Sequence, residues 1–428
     1  MTSTVQPLMP EPPGTIRAEV AVVGAGLVGA SLACALAGHG IKVALIDRLD
    51  PSAMAAPSFD GRAYAVALSA QRFLEAVGIW QHVAGHIEPI REIRVSDGDA
   101  PFFLHYDHAD IGDDPLGFMA ENRHLRAAVA IRMRALAETI TLVTPATVAD
   151  MIQGVDDITL CLDDGRTVTA ALAISAEGRN AKLRTLAGIG VTGWTYSQVA
   201  IVATIGHARP HDGIAHERFL PAGPFAILPL PDDNGVHRSS LVWTEREDTA
   251  AGYLALADDA FLAEIAERVG GFLGDLSLLG PRFSHPLGLQ FAARYGQGRL
   301  VLAGDAAHGI HPIAGQGLNL GFRDVAALTQ IIVDTKQLGL DLAHPVGVAR
   351  YQRLRRADNL LMAGVTDVLN RLFSNDIAPI RLIRDLGLGA VNRIPPLKRL
   401  FMREAMGISA PRVAPPPRPM TGSRPASK

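Results

Sequence analysis

The sequence predicts an α/β fold carrying an inserted mixed β-sheet of α+β character and ending in helices, and three observations lead there. A glycine-punctuated strand–loop–helix–strand unit occupies the first fifty or so residues, strand-like alternation dominates Ser197–Val242, and a strand after Arg299 runs through a glycine-rich turn into a long helix. Taken in order, Ala18–Val23 reads as a short buried strand, Ala30–Gly38 as a helix, and Lys42–Asp47 as the second strand of a βαβ unit. Helical spacing returns at Asn122–Glu138, with strands on either side of Gly165 and again at Leu172–Ser175. Gln198–Ile205 and Phe225–Leu230 alternate as half-buried strands do, so this region is read as a sheet inserted between two α/β portions. Arg299–Ala303 is a further strand, Leu318–Thr335 a long helix, and Pro345–Gly407 helical with breaks at Pro379 and Pro395-Pro396.

Composition limits what such a fold can do. At 428 residues the chain exceeds the ~100–200 residues of one domain, so at least two are expected. Hydrophobic residues make up 48% and charged ones 19%, enough apolar surface for a large core. A net charge of −3 argues against nucleic-acid binding as the main activity. Two cysteines, Cys34 and Cys161, build neither a disulfide framework nor a four-thiolate metal site, which points to a reducing, cytoplasmic setting. The leader lacks the apolar core of a secretory signal, and no run reaches the ~18–20 apolar residues of a membrane span. Residues 1–17 and 409–428 are Pro-rich and expected to be disordered. Charge is uneven: Arg371 onward holds eleven Lys/Arg against three Asp/Glu, a net +8, leaving −11 on the other 370 residues. That asymmetry fits either contact with an anionic lipid surface or a solvated basic helix with a tail.

Two stretches carry the chemistry. Gly24-x-Gly26-x-x-Gly29 lies between strand and helix as a dinucleotide-binding loop requires. The first glycine permits the turn, the second lets the backbone approach a pyrophosphate, the third lets helix and strand pack, and the helix end offers N–H groups to phosphate. Asp47, 23 residues after Gly24, ends the second strand where a carboxylate can accept ribose hydroxyls. The loop's N-terminal position without a nearby second copy suits FAD better than a nicotinamide, although the loop alone admits either. In the second stretch a buried strand ends at Gly304-Asp305, so the Asp305 carboxylate emerges where it can accept from a polyol. Pro312 fixes a turn, and Gly315 and Gly317 allow close backbone approach at the start of the next helix. His308 and His311 suggest a metal, but no carboxylate or thiol completes a ligand set, so none is expected.

These stretches resemble the class A FAD-dependent aromatic hydroxylases, whose FAD-binding domain is Rossmann-like and of the p-hydroxybenzoate-hydroxylase type. Within that class, Phe59–Ser69, Glu121-Asn-Arg123, Tyr196-x-Gln198, His211 through Glu217-Arg-Phe-Leu220, Gly223–Pro229, Leu241-Val-Trp243 and Asp367…Arg371–Asn375 are similar to the hydroxylases of ubiquinone biosynthesis, which act on polyprenylated phenols. The likeness runs from about Val20 to Gly407 with order and spacing kept. It implies a discontinuous FAD-binding domain over 18–75, 100–190 and 295–345, a substrate domain over 76–99 and 191–294, and a helical region over 346–408.

The resemblance also implies roles. Gly24, Gly26, Gly29 and Asp47 would hold the ADP half of FAD, and Arg62 and Arg123 its phosphates or flavin side. Asp305 would bind the ribityl chain, and Gly317, Leu318 and Asn319 would offer N–H groups to the flavin O2/N1 edge. One motif departs: where the family shows Asp-Gly followed by a Ser, this chain reads Glu177-Gly178-Arg179-Asn180-Ala181. Because that motif touches reduced nicotinamide as well as FAD, the electron donor stays open between NAD(P)H and a protein. The implied chemistry is hydroxylation through a C4a-hydroperoxyflavin formed with O₂, the protein excluding water and orienting the ring. His211 and Tyr196 match family positions and are candidates for a general base, either being equally readable as a satisfied core or sheet residue. Phe225, Leu228, Pro229 and Trp243 are expected to line an isoprenoid pocket. A flavin-dependent isoprenoid reductase and a non-catalytic flavoprotein scaffold among other quinone-biosynthesis proteins stand as alternatives. At helical spacing Leu397, Leu400 and Phe401 share a face, with Lys398, Arg399 and Arg403 around the other sides. Such a helix would dock peripherally on the inner face of the membrane, or pack back on the body.

Overall fold

The computed structural model describes residues 14–50, 58–98, 103–310, 315–373 and 394–407. Its first layer is a sheet with five parallel strands in the order Ile140–Val143, Val43–Ile46, Thr15–Val23, Thr167–Ser175, Leu300–Leu302. Val43–Ile46 and Leu300–Leu302 are buried throughout, as strands covered on both faces must be. The helix Leu27–Gly38 shows no polar face because it is buried almost all round, packed between this sheet and the helices Gln316–Gln337 and Asn122–Ala135. The first strand begins at Thr15, paired with Thr167, so order starts before the expected limit at residue 17. The remainder of that leader, residues 409–428, and the breaks at Pro379 and Pro312 fall outside the described residues.

The second layer is a mixed sheet whose long strands are Phe283–Ala292, Val191–His207, Val236–Arg246, Gly223–Asp233 and Ile214–Leu220, continued by Glu92–Asp97 and Phe103–Asp107. The two-residue period of these strands divides its faces. Ile201, Ala203, Phe225, Ile227, Leu241 and Trp243 form a core under the helices Glu247–Ala255 and Asp258–Val269. Arg268 closes this core by stacking its guanidinium 4.4 Å from the Trp243 ring centre. Ala200, Val202, Pro224, Ala226, Leu228 and Val242 point the other way, toward the first layer. Phe225 and Trp243 are therefore core residues of the helix-covered face, and the expected pocket wall is made by their sequence neighbours instead. A small antiparallel sheet, Ala63–Ala67, Gly117–Glu121 and Ile87–Ile90, lies between the two layers.

The expected domain boundaries need correction here. Trp80 and Val83 belong to the core of the first layer, while Phe103–Asp107 pairs with Glu92–Asp97 in the second sheet. The expected boundary at 99/100 falls between two strands that pair with each other. Turn residues mark hairpins and domain junctions alike.

The C-terminal helix Pro395–Ala405 begins with its two prolines, which the first helical turn tolerates because their missing N–H groups have no intrahelical partner there. Met402 and Met406 are buried against Leu68, Ile90, Met119 and Leu230, and Lys398 pairs with Asp110 at 2.6 Å. Leu400 and Arg399 face outward. The packed face is thus Lys398–Met402–Met406 at i, i+4, i+8, and Lys398 lies on it rather than opposite it.

Candidate functional site

A cavity of about 880 Å³ runs between the two layers, and residues from both line it. Two helix N-termini open on it, those of Leu27–Gly38 and Gln316–Gln337. Each leaves first-turn N–H groups without intrahelical acceptors, with the positive end of the helix dipole behind them.

The three glycines of the first loop have three different tasks. Gly24 sits at φ +100°, and a Cβ there would lie 2.4 Å from the Ala176 carbonyl oxygen. Gly29 lets the helix approach so closely that a Cβ would lie 1.9 Å from the Gly24 carbonyl oxygen. Gly26, in contrast, lines the cavity, and a Cβ on it would meet nothing within 4 Å. Gly317, at the second helix end, is equally open. With no side chain at Gly26 or Gly317, both helix ends leave room beside their first-turn amides, which suits the phosphates and an anionic ring of FAD.

The acidic positions sit at strand ends as expected. Asp47 follows Val43–Ile46 and accepts from Ala25 N–H at 2.6 Å, so the carboxylate also shapes the glycine loop. Asp305 follows Leu300–Leu302, reaches the cavity and lies 3.7 Å from Arg179 Nε. Asn319 spends its side chain on the strand Ala63–Ala67 region, accepting from Ala67 N–H and donating to the Ala65 carbonyl, both at 2.9 Å. That bond pair fixes the second helix end against the small sheet. Asp305→Ala should weaken FAD binding by about 1–3 kcal/mol, the usual cost of one charge-assisted hydrogen bond. Equilibrium titration of the apoprotein with FAD reads this directly, and an unchanged Kd would remove Asp305 from the site.

Of the two arginines, Arg62 lines the cavity, paired with Asp60, which also accepts from Asn122 Nδ2 at 2.6 Å. Arg123 does not. It is tied to Glu121 at 2.9 Å and lies over the Phe59 ring. Burial pushes the Glu121 carboxyl up, but hydrogen bonds from His124 and Arg123 and the charge of Arg238 outweigh it and hold it at about 2. The same helix presents Asn122 and Arg126 to the cavity. Their i, i+4 spacing was the signal in the sequence that Arg126, rather than Arg123, shares a face with Asn122.

Neither candidate base reaches the cavity. His211 Nδ1 accepts from Gly213 N–H at 3.1 Å, which leaves Nε2 as the protonated nitrogen, donating to the Leu230 carbonyl at 2.9 Å. Both ring nitrogens are consumed in holding a turn. Tyr196 donates to Asp367 at 2.8 Å, joining the second sheet to the helix Pro345–Phe373. His308 is buried and paired with Asp324 at 2.6 Å, a packing role. His311 lies outside the described residues.

The departing motif has a structural task. The longer Glu177 side chain reaches the start of the helix Lys182–Leu186, accepting from Lys182 and Leu183 N–H at 3.1 Å and from Ser175 Oγ at 2.7 Å. Gly178 and Arg179 beside it line the cavity. Ala181 is fully buried, so a hydroxyl there would need a partner.

Comparison with known proteins agrees with this geometry. A family model described as an FAD binding domain matches residues 17–337. The chain is 52% identical to the ubiquinone hydroxylase UbiL of Rhodospirillum rubrum, over 95% of this chain and 93% of that protein. It is 34% identical to the 3-demethoxyubiquinol 3-hydroxylase of Escherichia coli, covering 91% and 98% respectively. Among solved structures, p-nitrophenol 4-monooxygenase from Pseudomonas putida superposes with a TM-score of 0.74 at 19% identity, over 93% of this chain and all of that one. That last likeness is one of fold.

Proposed function

The chain belongs to the FAD-dependent aromatic hydroxylases of ubiquinone biosynthesis, and from that premise we propose that it hydroxylates the ring of a polyprenylated phenol held between its two layers. The observation that carries the reading is the single cavity joining both helix N-termini to an apolar sheet face closed by Met402 and Met406. Bound FAD, reduced by NAD(P)H or a protein donor, would supply activation of O₂ and delivery of one oxygen atom. Gly26 and the first helix end would hold the pyrophosphate, Asp47 a ribose, Asp305 the ribityl chain, and the amides of Gly317, Leu318 and Asn319 the O2/N1 edge of the ring. Arg62 and Arg126 would face the phosphates or the flavin side. The apolar walls would exclude water and seat the isoprenoid. With ¹⁸O₂, the product should gain one labelled hydroxyl. An unlabelled product with a saturated double bond would instead identify an isoprenoid reductase.

Substrate collection would occur at a membrane surface. No helix among the described residues is long and apolar enough to cross a bilayer. The outward side of Pro395–Ala405, carrying Arg399, Leu400 and Arg403, would touch anionic lipid at about 1 kcal/mol per basic residue. Co-sedimentation with anionic but not neutral vesicles is expected, lost in high salt and in the double variant Arg399→Glu, Arg403→Glu. Indifference to anionic vesicles at low salt would assign the helix to packing alone.

A further inference from the structure

We propose that Glu217 accepts the phenolic proton of the substrate, a catalytic carboxylate set in the apolar wall of the cavity; this rests on the hydroxylase reading above. Sheet register places it. Glu217 pairs with Val95 on one side and Ala226 on the other, Val95 with Leu104, Ala226 with Val242, and Val242 with Val202. Across six strands that row holds aliphatic side chains and one carboxyl. Glu217 lines the cavity and makes no side-chain hydrogen bond or ion pair among the described residues. A carboxylate placed where only water or a ligand can reach it, without a protein partner, costs stability that a purely structural role does not return. A phenol hydroxyl is the complementary group in this reading.

The surroundings suit a base. Tyr106 from the strand Phe103–Asp107, Ser240 and Thr244 from Val236–Arg246, and Met402 and Met406 from the C-terminal helix line the same cavity, and Asp97 lies one row along on the same sheet face. Burial pushes the Glu217 carboxyl up to about 7, and no neighbouring cation brings it down. Burial, and then the Glu217 charge, push the Tyr106 phenol up to about 12, so it stays protonated beside a charged Glu217. His216, on the other face of its strand and packed against the Phe272 ring at 4.5 Å between ring centres, is pushed down by burial to about 4, and burial pushes His285 down as well. Asp47 and Asp305 lie at strand ends of the other layer. In the step itself the phenol O–H bond breaks, its electron pair stays on oxygen, and the proton bonds to a Glu217 carboxylate oxygen. The electron-rich phenolate then meets the transferred oxygen atom, and the proton passes to water when product leaves. An unperturbed phenol near pKa ~10 needs such help at neutral pH.

The test compares holoenzyme with Glu217→Gln, which keeps shape and removes the charge. Glu217→Gln should retain FAD and fold, while hydroxylation falls roughly 10²- to 10⁴-fold and the rise in rate through about pH 7 disappears. A ring-fluorinated phenol, ionised near neutral pH, should restore much of the rate. Infrared titration gives a readout that does not depend on turnover: a carboxylic-acid band that titrates near pH 7 in the wild type, is absent in Glu217→Gln, and shifts when a phenol binds. Wild-type rate and pH profile in Glu217→Gln, or a band unmoved by a phenol that is hydroxylated, would overturn the assignment. A phenol that shifts the band yet is never hydroxylated would count against the reaction and leave the contact standing.

Discussion

Gly26→Val should give a folded protein that purifies colourless. Gly26 is the N-cap of the first helix at φ −65° and ψ 178°, a backbone conformation any residue adopts, and its Cβ would enter open space. The valine methyls then occupy the space that the pyrophosphate would need, and the apoprotein loses only the better N-cap residue. FAD affinity should fall at least ~10²-fold, about 2.7 kcal/mol. The neighbouring glycines should behave in the opposite way. Gly24→Ala forces a side chain into left-handed backbone 2.4 Å from a carbonyl oxygen, and Gly29→Ala puts one 1.9 Å from another, so both should destabilise the apoprotein itself. Flavin absorbance of the purified proteins and thermal denaturation of the apo forms separate the two effects. A fully yellow Gly26→Val protein would remove the pyrophosphate from this loop.

That contrast shows what local sequence can and cannot convey. The glycine spacing, Asp47, Asp305 and the helix after Gly315 were legible because each is a short-range pattern tied to one strand end or one helix end. The glycine motif alone does not reveal that Gly24 and Gly29 are confined by the chain while Gly26 opens on the cavity, because Gly24 is confined by Ala176, 152 residues away, and Gly29 by the Gly24 carbonyl that this turn aims at the helix. The cavity wall was harder. Which of Phe225 or Ala226 faces the substrate depends on which layer covers which face, and a one-residue shift exchanges every side chain. Glu217 lies within the stretch His211–Leu220 and shows no role in sequence, since its isolation appears only when Val95, Ala226 and Val242 are brought alongside by pairing across distant segments. His211 matches a family position, but Gly213 N–H and the Leu230 carbonyl take up both of its ring nitrogens, which nothing local in the sequence shows. The C-terminal helix reads as amphipathic on Leu397, Leu400 and Phe401; of these Leu400 faces outward, and Met402, Met406 and Lys398 pack on the body.

Asp324→Ala should be the most damaging single change away from the cofactor. Its carboxylate is fully buried and accepts from Gly304 N–H at 2.9 Å, His308 Nε2 at 2.6 Å and Arg355 Nε at 2.7 Å. One side chain on the long helix therefore fixes the turn bearing Asp305 and anchors the helix Pro345–Phe373. Arg355 continues the network to Asn359 at 2.9 Å, and Asn359 reaches Tyr295 Oη at 3.3 Å. Removing Asp324 takes one of two anions from the buried Arg355 guanidinium, which keeps Asp358, and leaves His308 and the Gly304 N–H without their acceptor, a loss of about 3–5 kcal/mol. For a chain of this size, whose unfolding entropy grows with its length, that is a fall in Tm of roughly 3–6 °C. Asp324→Asn keeps the shape and one acceptor but loses the charge, so it should fall between. Burial alone would raise this carboxyl, but the charges of His308 and Arg355 and their hydrogen bonds outweigh it and lower it from 3.8 to about 2. A depressed folded-state value means that the stabilisation is complete above about pH 4 and is lost as pH falls through 2. The gap in stability between wild type and Asp324→Ala should thus be constant from pH 5 to neutrality and narrow below pH 4, measured by denaturant unfolding at each pH. A gap that stays constant down to pH 2 would show that the carboxylate's charge carries none of the stability, and that only its packing does.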